Sequence, residues 1–264
     1  MVTDLQKLLD AAVEFGKAGG DSTLNYFQKS FDLKFKGDNS PVTNADRESE
    51  TIIRELIRKH FPEHGIIGEE FGAEKEDSDV VWVLDPIDGT QSFIHGVPLY
   101  TTLIGILIKN QPKVGLIYAP ATGEMVAAAE GLGCTLNGEK CSVRECGSLS
   151  EATFLSTEVV TFEQYGYANS LQTLLKTTRI HRTWGDAYGH MLVATGRADI
   201  MIDPILNLWD AAALMPVITE AGGSFTDLNG KPSVETGNGL SCNTLLKHEI
   251  LNIFSDENTD ENLH

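Results

Sequence analysis

The sequence predicts a chain of mixed α and β structure that is α+β in its first half and α/β in its second. Between residues 100 and 143, short apolar segments separated by turn residues follow one another, which is typical of antiparallel strands. From residue 152 onward, strand-like and helix-like segments alternate, and this pattern indicates α/β layering. We therefore divide the chain into an N-terminal α+β half, residues 1–147, and a C-terminal α/β half, residues 148–264.

The N-terminal region is predicted to begin with a helix and an edge strand. Apolar residues recur at helical spacing from Leu5, which predicts a helix over residues 5–27. Residues 31–35 alternate apolar and polar side chains, as a short edge strand does.

A second helix is predicted after a capping pattern made by Thr43 and Asp46. Pro62 marks its end. Glu50 and Arg54 lie four residues apart with the acid first, an arrangement that stabilises the solvent-facing side of a helix. We therefore expect this pair on the exposed face.

A central stretch combines a buried strand with two acids. Residues 80–84 form a short apolar run rich in β-branched side chains, which predicts a strand that ends in Asp85 and Asp88. Pro86 is expected to stop the strand, and a short helix is expected to begin at Gly89. Two acids can share a hard cation, and the N–H groups of a helix start can hold phosphate. A magnesium-assisted phosphate site and a plain acidic turn are both open at this point.

The remaining elements are predicted from apolar patterns and from the turn residues that separate them. In the first half, further strands are predicted at residues 66–70, 100–108, 113–118, 124–130 and 141–143, with a turn at 110–112. In the second half, strands are predicted at 152–156, 180–183, 200–202 and 224–226, and helices at 162–175, 187–195, 208–220 and 243–254.

Composition excludes several function classes. The chain has 264 residues, 41% of them hydrophobic, and a formal net charge of -18, which argues against nucleic acid or an anionic membrane as partner. The same charge would repel a phosphate ester unless bound divalent cations reversed the field locally. The four cysteines form no CxxC pair, and the N-terminus lacks the pattern of a signal peptide. We therefore expect a cytoplasmic protein.

Six acidic residues lie at predicted strand ends or helix starts. Each has an ordinary explanation by itself: a helix cap, a solvated turn, or a charge that complements a helix dipole. Together they are harder to explain in that way, because Mg²⁺ uses carboxylate oxygens along with water and phosphate. They are Asp46, Glu69, Glu70, Asp85, Asp88 and Asp210.

Four short motifs carry a family resemblance that covers nearly the whole chain. They are Gly68-Glu69-Glu70, Asp85-Pro86-Ile87-Asp88-Gly89-Thr90, Trp209-Asp210-Ala211-Ala212 and Glu220-Ala221-Gly222-Gly223. In order and spacing they resemble the inositol monophosphatase family of magnesium-dependent, lithium-sensitive phosphatases. The resemblance implies a five-layered α/β/α/β/α sandwich, two or three Mg²⁺ ions per active site, a small phosphorylated metabolite as substrate, and a homodimer.

Other stretches are most similar to the histidinol-phosphate phosphatase branch of that family. They include the run from Gln91 to Phe93 followed by Gly96-Val97-Pro98, and the turn Trp184-Gly185-Asp186. The branch implies hydrolysis of L-histidinol phosphate and a place in histidine biosynthesis. An inositol-1-phosphate phosphatase or a broad sugar-phosphate phosphatase is the alternative. A non-enzymatic cation-binding module is disfavoured, because every carboxylate that the mechanism needs is present.

The resemblance also implies a role for each motif residue. The metal ligands it implies are Glu69, Asp85, the backbone carbonyl of Ile87, Asp88 and Asp210. The catalytic residues it implies are Asp46 and Thr90, which would orient the attacking water, and Glu69. The phosphate and substrate contacts would be Asp88, Gly89, Thr90, Gln91, Asp186 and Asp210. Further candidates are Glu70 for a third ion, Lys36 for phosphate attraction and Arg182 for a substrate contact.

Overall fold

The computed structural model describes residues 4–35 and 41–260, and their helices and strands form five layers. The helices are α1 (Leu5–Thr23), α2 (Asn44–His60), α3 (Thr90–Ile94), α4 (Val159–Gln164), α5 (Ala168–Thr177), α6 (Asp186–Ala194), α7 (Leu208–Glu220) and α8 (Lys247–Asp260). The strands of the first half are β1 (Leu33–Phe35), β2 (Pro41–Thr43), β3 (Gly65–Gly68), β4 (Gly72–Glu74), β5 (Val80–Asp88), β6 (Thr101–Ile108), β7 (Gln111–Ala119), β8 (Glu124–Ala129), β9 (Gly133–Leu136) and β10 (Glu139–Lys140). The remaining strands are β11 (Thr153–Ser156), β12 (Ile180–Arg182), β13 (Ile200–Asp203), β14 (Gly223–Thr226) and β15 (Gly239–Asn243).

The larger sheet has eight strands in the order β10-β9-β8-β7-β6-β5-β3-β4. Its strands are antiparallel except for β3 and β5, which run parallel. Because β3 and β5 are parallel, their carboxyl ends lie at the same edge of the sheet, where Glu69 follows β3 and Asp85 lies near the end of β5.

Helices α1 and α2 form the outer layer on one face of this sheet. Their apolar stripes bury Phe15, Ile53 and Ile57 against Trp82 and Leu84 of β5. Burying side chains of this size stabilises the fold by about 1.5–3 kcal/mol each. The predicted start of α2 is confirmed, because the Thr43 and Asp46 side chains form a reciprocal capping box.

Helices α6 and α7 form the middle layer, between the two sheets. Helix α7 lies very close to the larger sheet at two glycines. A Cβ atom on Gly105 of β6 would lie 2.7 Å from the backbone carbon of Ala212, and one on Gly115 of β7 would lie 2.1 Å from the Ala213 oxygen. The two glycines therefore let the helix pack directly on strand backbone, which fixes where the first turn of α7 meets the end of β5.

The smaller sheet has five strands in the order β12-β11-β13-β15-β14. One face meets α6 and α7, and the other buries Phe154, Ile200 and Leu240 under side chains of α4, α5 and α8. The order of layers is therefore helix, sheet, helix, sheet, helix, and the predicted five-layered sandwich is confirmed. Among the described helices, none combines the length and the apolar character needed to cross a membrane.

Several local predictions were wrong. Strand β5 continues through Pro86 to Asp88, with an irregularity in its pairing to β6 between Asp85 and Asp88. The helix predicted over 162–175 is two helices, broken near Gly166, where φ is +80°.

One strand prediction and one surface prediction also failed. Residues 141–143 form no strand, and β15 was not predicted, with Asn243 at its end assigned to the last helix. Glu50 and Arg54 are 0% and 4% exposed, so this pair lies in the interior and not on the solvent face of α2.

Candidate active site

The end of β5 supplies two of the acids that surround an acidic cavity. The Asp85 side chain is buried, and its Oδ1 accepts a hydrogen bond of 3.0 Å from the N–H of Ile87. The Thr102 hydroxyl donates to the carbonyl of Pro86 at 2.8 Å, which satisfies the backbone where the pairing of β5 with β6 is interrupted. Asp85, Ile87 and Asp88 all line a cavity of about 270 Å³.

Asp210 brings a third carboxylate to the same place from the first turn of α7. Its Oδ2 accepts a hydrogen bond of 2.6 Å from the N–H of Asn207, as a helix-capping acid does. One carboxylate oxygen from each of Asp85, Asp88 and Asp210 lies within 4.8 Å of the other two. Oxygen atoms at this spacing form a donor set that a hard divalent cation could bind.

Two further acids stand beside this cluster. Glu69 follows β3 and lines the cavity, and its N–H donates to the carbonyl of Leu84 at 3.2 Å. Asp46 is 1% exposed at the start of α2, where its Oδ2 accepts hydrogen bonds from the N–H and hydroxyl of Thr43. Asp46 is not among the described residues that line the cavity. Burial raises the pKa of Asp85, and the charge of Asp46 adds to that effect after those of Glu69, Asp88 and Asp210.

A tight turn joins β5 to the short helix α3. Gly89 has φ of +78°, a conformation that side chains with a Cβ adopt at a cost. A Cβ on Gly89 would also lie 2.8 Å from Oδ2 of Asp186. The Thr90 hydroxyl donates to the carbonyl of Ile87 at 3.0 Å, so it lies on the same rim of the cavity as the acids.

The wall of the cavity that adjoins Asp88 and Gly89 is acidic as well. Asp186 has a left-handed backbone with φ of +54°, and its N–H donates to the Thr157 hydroxyl at 2.7 Å. Non-glycine residues in this conformation are uncommon and occur often at functional sites. Glu158 and Asp203 complete this wall.

Sequence patterns did not single out Glu158 or Asp203. They follow or end strands β11 and β13, at the carboxyl ends of neighbouring parallel strands, which is where open sheets commonly bind ligands. That rule could have identified both. Asp203 accepts a hydrogen bond from Nε2 of His190 at 3.1 Å, while Nδ1 of His190 lies 2.6 Å from the Ser241 hydroxyl.

Burial of so many acids raises their pKa values. Desolvation is the largest cause for Asp85 and Asp88, and repulsion comes next, from Glu69 for Asp85 and from Asp186 for Asp88. Their pKa values therefore lie well above the usual range. A bound cation would remove both causes, since it replaces lost solvation and neutralises the repulsion.

The same effect reaches the neighbouring acids. Desolvation raises the pKa of Asp46 to about 6 and that of Asp210 to about 6. It raises the pKa of Asp186 to about 7, with repulsion from Asp203 as the next cause. Perturbed acids gathered in one cavity are typical of functional sites.

Several predicted residues lie away from the cavity or outside the described chain. Gln91 is exposed on α3, and Arg182 is exposed on the edge strand β12, where its guanidinium donates to the His181 carbonyl at 2.7 Å. Neither is among the described residues that line the cavity. The Glu70 side chain is buried and lies 4.0 Å from the Arg47 guanidinium. Lys36 lies outside the described residues.

Comparison with known proteins relates the whole chain to one family. A family model for the inositol monophosphatase family matches residues 4–258. A histidinol-phosphatase from Chlorobaculum parvum is 39% identical over 95% of this chain and 96% of its own. A fructose-1,6-bisphosphatase/inositol-1-monophosphatase from Thermotoga maritima is 35% identical over 81% of this chain and 82% of its own. The solved structure of an inositol monophosphatase from Zymomonas mobilis matches with a TM-score of 0.86 and 29% identity, over 96% of this chain and 99% of that one.

Proposed function

We propose, since the chain belongs to the inositol monophosphatase family, that it is a Mg²⁺-dependent phosphomonoesterase that hydrolyses L-histidinol phosphate to L-histidinol and phosphate. Phosphatase activity on a small phosphorylated substrate follows from membership of the family. The metal, the substrate and the residue roles below are the proposal.

The donor set of the cavity fits Mg²⁺. Glu69, Asp85 and the carbonyl of Ile87 would hold one ion, and Asp88 with Asp210 would hold a second. Carboxylate and carbonyl oxygens suit a hard cation, and no thiol or imidazole belongs to this group of ligands. When bound, Mg²⁺ supplies a water of lowered pKa and neutralises charge on the phosphate and on the departing oxygen. Glu70, buried nearby, is proposed for a third ion or for support of the first.

The protein's own residues would orient the reactants. Asp46 and Thr90 are proposed to hold the attacking water, with Asp46 fixed by its two hydrogen bonds from Thr43 and Thr90 by its bond to the Ile87 carbonyl. The N–H groups of Gly89 and Thr90 would bind phosphate oxygens. Water attacks phosphorus directly in this scheme, so no phosphoenzyme forms.

One observation carries the choice of substrate: the described cavity lining contains seven acids and no Lys, Arg or His. Three of these acids, Glu158, Asp186 and Asp203, lie beyond the proposed metal ligands. A leaving group that carries an ammonium would both neutralise charge on this wall and donate hydrogen bonds to it, whereas a polyhydroxylated ring could donate hydrogen bonds only. Histidinol has such an ammonium, and inositol has none. The 39% identity to a histidinol-phosphatase supports the same choice.

The test compares phosphate release from L-histidinol phosphate and from inositol-1-phosphate at equal enzyme and saturating Mg²⁺. We expect a large preference for histidinol phosphate in kcat/KM. In Asp203→Asn, the preference should fall by about 10- to 100-fold, the worth of one hydrogen bond to a charged group. A wild-type preference for inositol-1-phosphate would reject the substrate and leave the phosphatase assignment intact.

Three further expectations belong to this proposal. The chain is expected to act as a homodimer in the cytoplasm and to be inhibited by lithium. Light scattering that gives the mass of a single 28.8 kDa chain would contradict the first expectation. Unchanged phosphate release at millimolar lithium would contradict the last.

A further inference from the structure

A buried ion pair on α2 contacts the turn that carries Glu69. Glu50 and Arg54 are 0% and 4% exposed, and Nε of Arg54 donates to Oε1 of Glu50 at 2.7 Å. Glu50 lies about one helical turn beyond Asp46 and Arg54 about two turns beyond it, on the side of α2 that faces the interior. Neither lines the cavity, so the pair is separate from the metal ligands proposed above.

The pair forms hydrogen bonds with the backbone that follows Glu69. Oε2 of Glu50 accepts the N–H of Glu70 at 2.8 Å, and Oε1 accepts the N–H of Phe71 at 3.3 Å. Nη2 of Arg54 donates to the carbonyl of Gly72.

The pair also packs against the residue before Glu69. A Cβ on Gly68 would lie 2.1 Å from Oε1 of Glu50 and 2.9 Å from Nη2 of Arg54. Only a glycine leaves room for the two side chains at this distance. One ion pair therefore holds the backbone of residues 70–72 by hydrogen bonds and packs against Gly68.

We infer that Glu50 and Arg54 are positioning residues, which fix the 68–72 turn so that the Glu69 carboxylate is directed into the acidic cavity and can bind a divalent cation. The inference rests on the proposed function, because it takes Glu69 as a metal ligand. Glu69 sits in a tight turn between β3 and β4, and the parallel pairing of β3 with β5 restrains the chain on one side of it. The ion pair supplies the restraint on the other side.

The physical chemistry of a buried pair explains why it would serve this purpose. Removing one partner of a buried ion pair leaves the other charge uncompensated, so the pair imposes one arrangement on the groups it binds. Arg offers a planar fork of donors that can reach Glu50 and Gly72 together. Groups that orient metal ligands typically change metal affinity about 10- to 100-fold when they are replaced.

The experiment measures Mn²⁺ binding to metal-free protein by isothermal titration calorimetry. Glu50→Gln keeps the shape of the side chain but removes its charge, and it places an amide NH₂ where one oxygen accepts an N–H. We expect Kd for Mn²⁺ to rise at least about 10-fold. In assays, the half-saturating Mg²⁺ concentration should rise while kcat at saturating Mg²⁺ changes much less.

Arg58→Gln is the matched control. Arg58 also lies on α2 and also contacts this hairpin, through Glu74 at 2.7 Å, but its side chain is 52% exposed. Its Kd should stay within about twofold of the wild type, since exposed pairs contribute little. If a fraction of the variant protein were unfolded, the sample would bind fewer ions per chain and the Kd of the folded fraction would be unchanged. The measured stoichiometry therefore separates loss of fold from loss of positioning.

If Glu50→Gln does not fold, Arg54→Lys provides a second variant for the same measurement. It keeps a positive charge beside Glu50 but cannot reach both Glu50 and Gly72, and the same rise in Kd is expected. Wild-type affinity in both folded variants would overturn the inference alone. Failure of the wild-type protein to bind Mn²⁺ would overturn the proposed metal site, and the inference with it.

Discussion

The backbone N–H of Ala187 donates a hydrogen bond of 2.7 Å to Oδ2 of Asp88. This bond joins the end of β5 in the larger sheet to the first turn of α6 in the middle layer. Thr101 of β6 donates to the same oxygen at 3.0 Å. Two donors from different layers therefore fix the orientation of the Asp88 carboxylate, one oxygen of which belongs to the cluster with Asp85 and Asp210.

Replacing Asp88 by Asn should abolish turnover and keep the fold. The amide oxygen of Asn can still accept the bonds from Ala187 and Thr101, but an NH₂ group then faces the proposed metals. We expect kcat/KM to fall by more than about 100-fold, because a ligand should matter more than the groups that orient it. Circular dichroism should be unchanged. Asp77→Asn, at an exposed turn, is the control, and near-normal activity of Asp88→Asn at saturating Mg²⁺ would reject a two-metal scheme.

Metal exchange should separate Mg²⁺ from Ca²⁺. Activity is expected to disappear in EDTA and to return when Mg²⁺ is added. Ca²⁺ should inhibit, because it prefers longer bonds and looser coordination than Mg²⁺. The water and the phosphate would therefore not take the positions that they have with Mg²⁺. Phosphate release is the measurement, with Mg²⁺ titrated at several fixed Ca²⁺ concentrations. Full activity in EDTA would contradict metal dependence altogether.

The metal-free protein should lose stability as the pH rises from about 4 to about 7. Burial raises the pKa of Asp186 to about 7 and that of Asp46 to about 6, above the ordinary value of 3.8. The folded state therefore binds more protons than the unfolded state in this window. By linkage, stability from these groups is fully present below their unfolded pKa and is lost as pH rises through the folded pKa. Thermal melts in EDTA at several pH values would measure the slope.

Asp186→Asn should remove part of this pH dependence. Asn is neutral at every pH in the window and tolerates the left-handed backbone of Asp186. At pH 7.5 without metal, the variant should melt at a higher temperature than the wild type, by roughly 2–4 °C for each 1 kcal/mol gained. At pH 4 the two should differ little. If the variant had a lower melting temperature than the wild type at pH 7.5, the charge of Asp186 would not destabilise the folded state.

Sequence reasoning succeeded where the signal is local. The Thr43–Asp46 capping box lies within four consecutive residues, so the start of α2 can be predicted without the fold. The turn predicted after Asp85 was less accurate, because β5 continues to Asp88. Strand β15 lacks an apolar run long enough to predict a strand, and its place between β13 and β14 depends on the rest of the sheet.

Partners far apart in sequence were inaccessible to the same reasoning. The spacing of Glu50 and Arg54 is that of a surface pair, and only the packing of α2 against the 68–72 turn makes it a buried one. Asp203 could be recognised as the end of a strand, but its place in the same cavity as Asp186 depends on how α6 packs against β13. The division of the chain near residue 147 and the roles of individual site residues stay predictions.

Gly89→Ala should reduce activity through a contact rather than through backbone strain. Alanine at φ of +78° costs about 1–2 kcal/mol of stability. The added Cβ would also lie 2.8 Å from Oδ2 of Asp186, so this carboxylate or the turn at the proposed phosphate site must move. We expect kcat/KM to fall at least about 10-fold.

Gly131→Ala supplies the matched control for that effect. Gly131 has φ of +75°, and its Cβ would meet nothing within 4 Å. The two variants should therefore lose similar stability in thermal melts, while only Gly89→Ala loses activity. Adding Asp186→Ala to Gly89→Ala removes the clashing oxygen, so the double variant should be no less active than Asp186→Ala alone. If Gly131→Ala lost activity to the same extent, or if Gly89→Ala further impaired the Asp186→Ala protein, the contact between Gly89 and Asp186 would not explain the requirement for glycine.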